Sequence, residues 1–133
     1  MSNSKRSRAG LATVVAALVA IALTAVPAAA TKTVNVPSSL KISPYGTSGK
    51  VTAANPACVA ERTVVLKEKG HGVLGRANSS ETGKWEINPE GIKYKGPLPF
   101  KIYAELKPKS EGAAGTIYKC GAATSKTIEI AGG

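Results

Sequence analysis

Beyond residue 30 the chain places apolar and polar residues at alternate positions, the period of a half-buried strand rather than a helix. The run Phe100–Lys107 shows it best, with Phe100, Ile102, Ala104 and Leu106 on one face and Lys101, Tyr103, Glu105 and Lys107 on the other. Lys84-Trp85-Glu86-Ile87 repeats the pattern, with Trp85 and Ile87 inward. From Cys58 to Leu66 runs a stretch that reads as a strand opening on a cysteine; within it Val64 and Leu66 share one face, while Thr63, Val65 and Lys67 share the other. Further strands are expected at Gly49–Ala53, Thr116–Cys120 and Lys126–Ile130, with a weaker one at Val73–Ala77 in which Gly75 marks a bulge or a close backbone approach. Asn55-Pro56, Glu68–Gly72, Asn78–Gly83, Asn88–Gly91 and Gly96-Pro97 are turn signals between them.

No stretch of eleven residues after residue 30 carries helical apolar spacing free of Gly and Pro, so helix is not expected there. The pattern predicts an all-β domain over residues 48–133, a single Greek-key β-sandwich of about seven strands. Residues 31–47, broken by Pro37 and Pro44, are expected to be an extended N-terminal segment with at most one edge strand.

Residues 1–30 follow another logic. Lys5, Arg6 and Arg8 precede an uncharged, mostly apolar run from Leu11 to Val26, and Pro27-Ala28-Ala29-Ala30 ends it with a small-residue processing site. That is the layout of a helical signal peptide, with cleavage expected after Ala30; retention as a membrane anchor is the alternative. Cleavage would leave 103 residues, one domain's worth. It would also leave no segment for stable membrane insertion, so the expected location is secreted or in the cell envelope.

Export changes the reading of the two cysteines. In an oxidising compartment Cys58 and Cys120 can form one intramolecular disulfide, closing a long loop across a domain too small to rely on its core alone.

Setting aside Lys5, Arg6 and Arg8 takes the net charge from +10 to +7, with lysine supplying nearly all the excess. Arg62 and Arg76 are the two side chains able to offer a planar bidentate fork. Diffuse positive charge suits weak contact with anionic cell-wall polymers, or with another secreted protein. No basic-aromatic motif points to nucleic acid.

Catalytic chemistry is poorly supplied. Beyond residue 30 there is no aspartate, and the one histidine, His71, lies between Gly70 and Gly72 in an expected exposed turn. A nucleophile–base–acid triad and a His/Cys metal site both lack members, no Asp-rich loop is present for calcium, and no cofactor is implied. Glu86 and Glu105, both on outward strand faces, could supply the paired carboxylates of glycoside hydrolysis, but ordinary solvated glutamates explain them better. The chain is read as a non-enzyme.

Trp85, in phase with Ile87, belongs to the core. Tyr103, outward beside Lys101, is the expected surface aromatic, and Tyr103, Lys101 and Arg76 form the candidate contact set. Residues 90–99, rich in proline and lysine, offer a loop that a small secreted inhibitor or toxin-like effector would present. Asn78-Ser79-Ser80 fits an N-glycosylation acceptor.

Three segments carry a family resemblance: Thr63–Leu66; the polar turn Ser79–Gly83 running into Lys84-Trp85-Glu86-Ile87; and Phe100–Leu106. Together they resemble the transthyretin-like domains typified by the carboxypeptidase regulatory domain. The pattern also resembles small secreted bacterial domains with one cysteine before the second strand and another before the last. The resemblance implies a non-catalytic β-sandwich acting as a structural or binding module. Tyr118-Lys119-Cys120 is similar to the tyrosine and second cysteine of immunoglobulin-like domains, but Trp85 follows Cys58 only after an intervening strand, which favours the transthyretin-like order.

Overall fold

The computed structural model describes residues 31–131, and over them the chain is all-β. The expected signal peptide and the cleavage position after Ala30 lie outside the described residues.

Eleven strands form three sheets, more than the seven expected. The central sheet has the order β10 (Ala123–Thr124), β7 (Phe100–Leu106), β4 (Thr63–Glu68), β5 (Gly72–Asn78), with β11 (Ile128–Ile130) also paired to β7. A second sheet runs β2 (Ser38–Ile42), β3 (Ser48–Ala53), β6 (Lys84–Glu86). The third is β1 (Lys32–Val36), β9 (Thr116–Cys120), β8 (Lys109–Ala113), with β1 parallel to β9.

Residues 31–47 therefore carry two strands, β1 and β2, more than the one edge strand expected. Pro37, which has no N–H to give a ladder, sits at the junction of two strands belonging to different sheets, and its carbonyl accepts from Ala54 N. The alternation on either side is what a strand needs: Leu40 and Ile42 are buried while Ser39 and Lys41 are exposed.

One core joins the second sheet to the central sheet. Leu40, Ile42, Val51, Trp85 and Ile87 meet Val64, Leu66, Ile102, Ala104 and Leu106 in a single buried cluster. The inward phases read at Val64, Leu66, Trp85, Ile87 and along Phe100–Leu106 are those found, with Phe100 half-buried and stacked on Tyr94 at 4.2 Å between ring centroids. Val65 departs from the expected alternation. It is buried as well, lying in register between Arg76 and Glu105, whose long side chains flank it. Gly75 carries both features expected of it: the β4–β5 register shifts beside it, and a Cβ there would fall 2.9 Å from Ile87 Cγ2.

Cys58 does not lie on a strand. It ends a 3-10 turn, Pro56–Cys58, capped by Asn55 Oδ1 accepting from Ala57 N. β4 begins only at Thr63, because the chain bends through Glu61 at φ +52°. Cys58 and Cys120 form the expected disulfide, with Cα atoms 5.3 Å apart, in a small second cluster with Val36.

Arg62 completes this junction, and it is not a surface fork. Its side chain is fully buried. Nη1 donates to Cys58 O (2.7 Å) and Ser38 Oγ (3.0 Å), and Nη2 donates to Gly121 O (2.7 Å) and Lys107 O (3.0 Å). One guanidinium thus ties the 3-10 turn, the start of β2, the end of β7 and the end of β9. No carboxylate takes part, and burial lowers its pKa from the ordinary arginine value.

Candidate functional site

The second sheet turns its inner face to the core, so the residues between its buried positions point outward. Leu40 and Ile42 inward put Lys41 outward on β2; Val51 inward puts Lys50 outward on β3; Trp85 inward puts Lys84 outward on β6. Register then lines them up. Lys41 lies directly opposite Lys50, and Lys50 directly opposite Lys84. Directly opposed side chains have Cβ atoms only about 5 Å apart, and like charges at that separation destabilise a sheet.

Among the described residues none of the three lysines is in a salt bridge, although Glu86 shares their outward face two positions from Lys84. The two salt bridges among the described residues, Lys67–Glu105 and Lys109–Glu111, are elsewhere. Lys126 extends the row: with Leu40, Lys41 and Ile42 it lines a depression of about 360 Å³. A larger depression of about 540 Å³ lies beyond Lys50, lined by Ser48, Gly49, Lys50, Ser80, Lys84, Trp85 and Glu86. The nearest carboxylates by register and sequence are Glu86, opposite Ser48, and Glu81 in the preceding turn. Hydroxyls fringe the row: Ser39 is bonded to Thr52, and Ser48 Oγ donates to Ser43 Oγ. Three ammonium groups crossing three strands, with Lys126 beside the β2 end and hydroxyls alongside, form a cationic track suited to a chain of negative charges.

The sequence did not point to this face. Tyr103, Lys101 and Arg76 lie on the outer side of the central sheet, with β4 between Arg76 and the other two, and carboxylates stand near them by register. Lys101 faces Glu129 across the β7–β11 ladder, and Arg76 and Glu105 flank Val65. Lys67, opposite Tyr103, is bonded to Glu105 at 2.6 Å. That bond holds the Glu105 carboxyl below its ordinary pKa and raises the Lys67 ammonium. Tyr103 is half-buried, whereas Tyr45, unremarked in the sequence, is 82% exposed.

The catalytic candidates stay apart. Glu86 lies on the outer face of the second sheet and Glu105 on the outer face of the central sheet, on opposite sides of the shared core. His71 is exposed in its turn and lines a cleft of about 210 Å³ with Glu68, Lys69, Gly96, Pro97, Pro99 and Lys101, none of which is a hydroxyl or thiol nucleophile.

Glu68 in that cleft braces the loop after Ile92. Its carboxylate is buried and accepts from Lys95 N (2.7 Å) and Gly96 N (2.8 Å). Burial alone would raise its pKa, but the two backbone donors, with His71 and Lys95 nearby, together hold it below the ordinary value of 4.5. A depressed carboxylate stabilises the folded loop above the unfolded pKa and loses that effect as pH falls through the folded pKa. The amide proton shifts of Lys95 and Gly96 are expected to titrate with a midpoint below 4.5 and to stop titrating in Glu68→Gln; a midpoint at or above 4.5 would contradict the brace.

No protein-family model, curated protein or solved structure matches the chain.

Proposed function

We propose that this chain is an exported, non-catalytic β-sandwich domain, Greek-key and transthyretin-like in plan, which holds anionic polymers of the cell envelope or its surroundings against one sheet face. The observation that carries the reading is the unpaired row Lys41–Lys50–Lys84. Like charges set directly opposite one another weaken a sheet, so a ligand that neutralises them is the simplest account of their alignment. The core shared by two sheets supports a sandwich. The disulfide is consistent with an extracellular location, and among the described residues no helix is long and apolar enough to cross a membrane.

Binding by such a track is dominated by release of counterions from the polymer. With four lysines engaged, the logarithm of the association constant should fall against the logarithm of salt concentration with a slope of about −3. Titration of a polyanion such as polyglutamate from roughly 20 to 300 mM salt measures it. Retention that does not change with salt, or no retention at the lowest salt, would remove the reading.

A further inference from the structure

The row is carried by the β2–β3 hairpin, and the tip of that hairpin holds Tyr45. The turn is built from local rules. Ser43 O accepts from Gly46 N (2.9 Å), Pro44 presets the second position, and Gly46 takes φ +81°. Ser43 N also donates to Ser48 O, closing the ends of the strands.

Beyond the turn the tip is pinned to the core. Gly46 is buried, and a Cβ there would fall 2.2 Å from Ile102 Cδ1 and 3.3 Å from Ile128 and Ile130 Cδ1. With Gly46 pressed against β7 and β11, the ring of Tyr45 is held out in water at 82% exposure. The other tyrosines differ: Tyr94, Tyr103 and Tyr118 are all half-buried. A solvated turn residue is the plain alternative, but a free aromatic on a braced tip loses little conformational entropy when something stacks on it.

Position gives the ring a partner class. The Ser43–Ser48 pair at the base of the turn is two residues beyond the Lys41–Lys50 pair, about 7 Å along the strands. Along the hairpin, from its tip toward the row, stand an exposed aromatic ring, then two hydroxyls, then the first pair of opposed lysines. A ringless polyanion uses only the last of these. A chain of sugar rings bearing negative groups uses all three, laying the C–H face of a pyranose on Tyr45 and its charges on the lysines.

We infer that Tyr45 is a sugar-stacking subsite and that the ligand class is an acidic polysaccharide; this rests on the lysine row being a polyanion track. The test compares polygalacturonate with polyglutamate of matched charge number, both carboxylate polymers but only one built of pyranose rings, with single-stranded oligo(dT) as a third arm. The full chain is expected to bind polygalacturonate about tenfold tighter than polyglutamate. Tyr45→Ala should abolish that tenfold preference and leave polyglutamate binding unchanged, while Tyr45→Trp keeps it. Lys50→Gln should weaken both polymers alike. Equal binding of the two carboxylate polymers, or a preference untouched by Tyr45→Ala, overturns the subsite while leaving the track standing. Tightest binding to oligo(dT), lost in Tyr45→Ala, overturns it in favour of base stacking. Absence of salt-sensitive binding to any polymer removes the track itself.

Discussion

Replacing Arg62 by methionine is expected to cost the domain about 3 to 5 kcal/mol. The guanidinium makes four hydrogen bonds, to Ser38, Cys58, Lys107 and Gly121. Its removal leaves the buried Cys58 carbonyl without this donor and takes one from the part-buried Ser38 hydroxyl and the Lys107 and Gly121 carbonyls; an unsatisfied buried group costs about 1 to 3 kcal/mol, a part-buried one less. Part of that sum is returned, because methionine has no charge to desolvate. Lysine is no rescue: its ammonium has three donors on a point charge and cannot span four acceptors arranged around a planar fork. Against a stability of about 5 to 15 kcal/mol for a domain of this size, the loss should be plain in urea unfolding, with the midpoint falling by about 1.5 M or more in Arg62→Met. A shift worth less than about 0.5 kcal/mol would show that the junction does not depend on the arginine.

Loss of the disulfide is the second large effect. Cys58 and Cys120 are 62 residues apart in sequence, and the loop-closure estimate for such a bridge is about 4 kcal/mol. Both cysteines are buried, so Cys58→Ala with Cys120→Ala adds the loss of packing around Val36. At about 4 to 8 °C per kcal/mol for a domain near this size, the thermal midpoint should drop by roughly 15 to 30 °C in the double alanine variant. Reduction of the wild-type chain should bring most of the same loss, while adding reductant to the variant should change nothing. The effects of Arg62→Met and of the cysteine pair should sum to less than additive, since Arg62 Nη1 bonds the carbonyl of Cys58 itself.

Much of this arrangement was legible in the sequence, and what was not has physical reasons. Alternation gave the inward faces of Phe100–Leu106 and of Trp85 and Ile87, because a strand's side-chain period is fixed by its backbone. The disulfide followed from two cysteines and a presumption of export. Arg62 was misread as a surface fork because charge was allowed to outweigh phase. It shares parity with Val64 and Leu66, which by alternation alone already placed it inward. The two strands of residues 31–47 were hidden by Pro37 and Pro44, which turned out to stand at a strand junction and in a hairpin turn.

The lysine row lay a further step away. Each lysine could be read as outward from its own neighbours, but their adjacency depends on β3 pairing with β6 across two intervening strands, and no local pattern sets that register. Tyr45 was hidden for a similar reason. Ser43-Pro44-Tyr45-Gly46 reads as a turn, but the ring's exposure is set by Gly46 docking on isoleucines more than fifty residues away.

On the proposed function one face, and not the overall charge, holds the polymer. Two variants of equal charge decide it. Lys41→Gln/Lys50→Gln/Lys84→Gln removes the row, and Arg76→Gln/Lys101→Gln/Lys119→Gln removes three exposed cations from other surfaces. With about 1 kcal/mol per lysine at low salt, affinity for a carboxylate polymer should fall about a hundredfold in the first and by less than threefold in the second. Equal losses in the two variants would mean that diffuse charge does the binding and that the row is not a site.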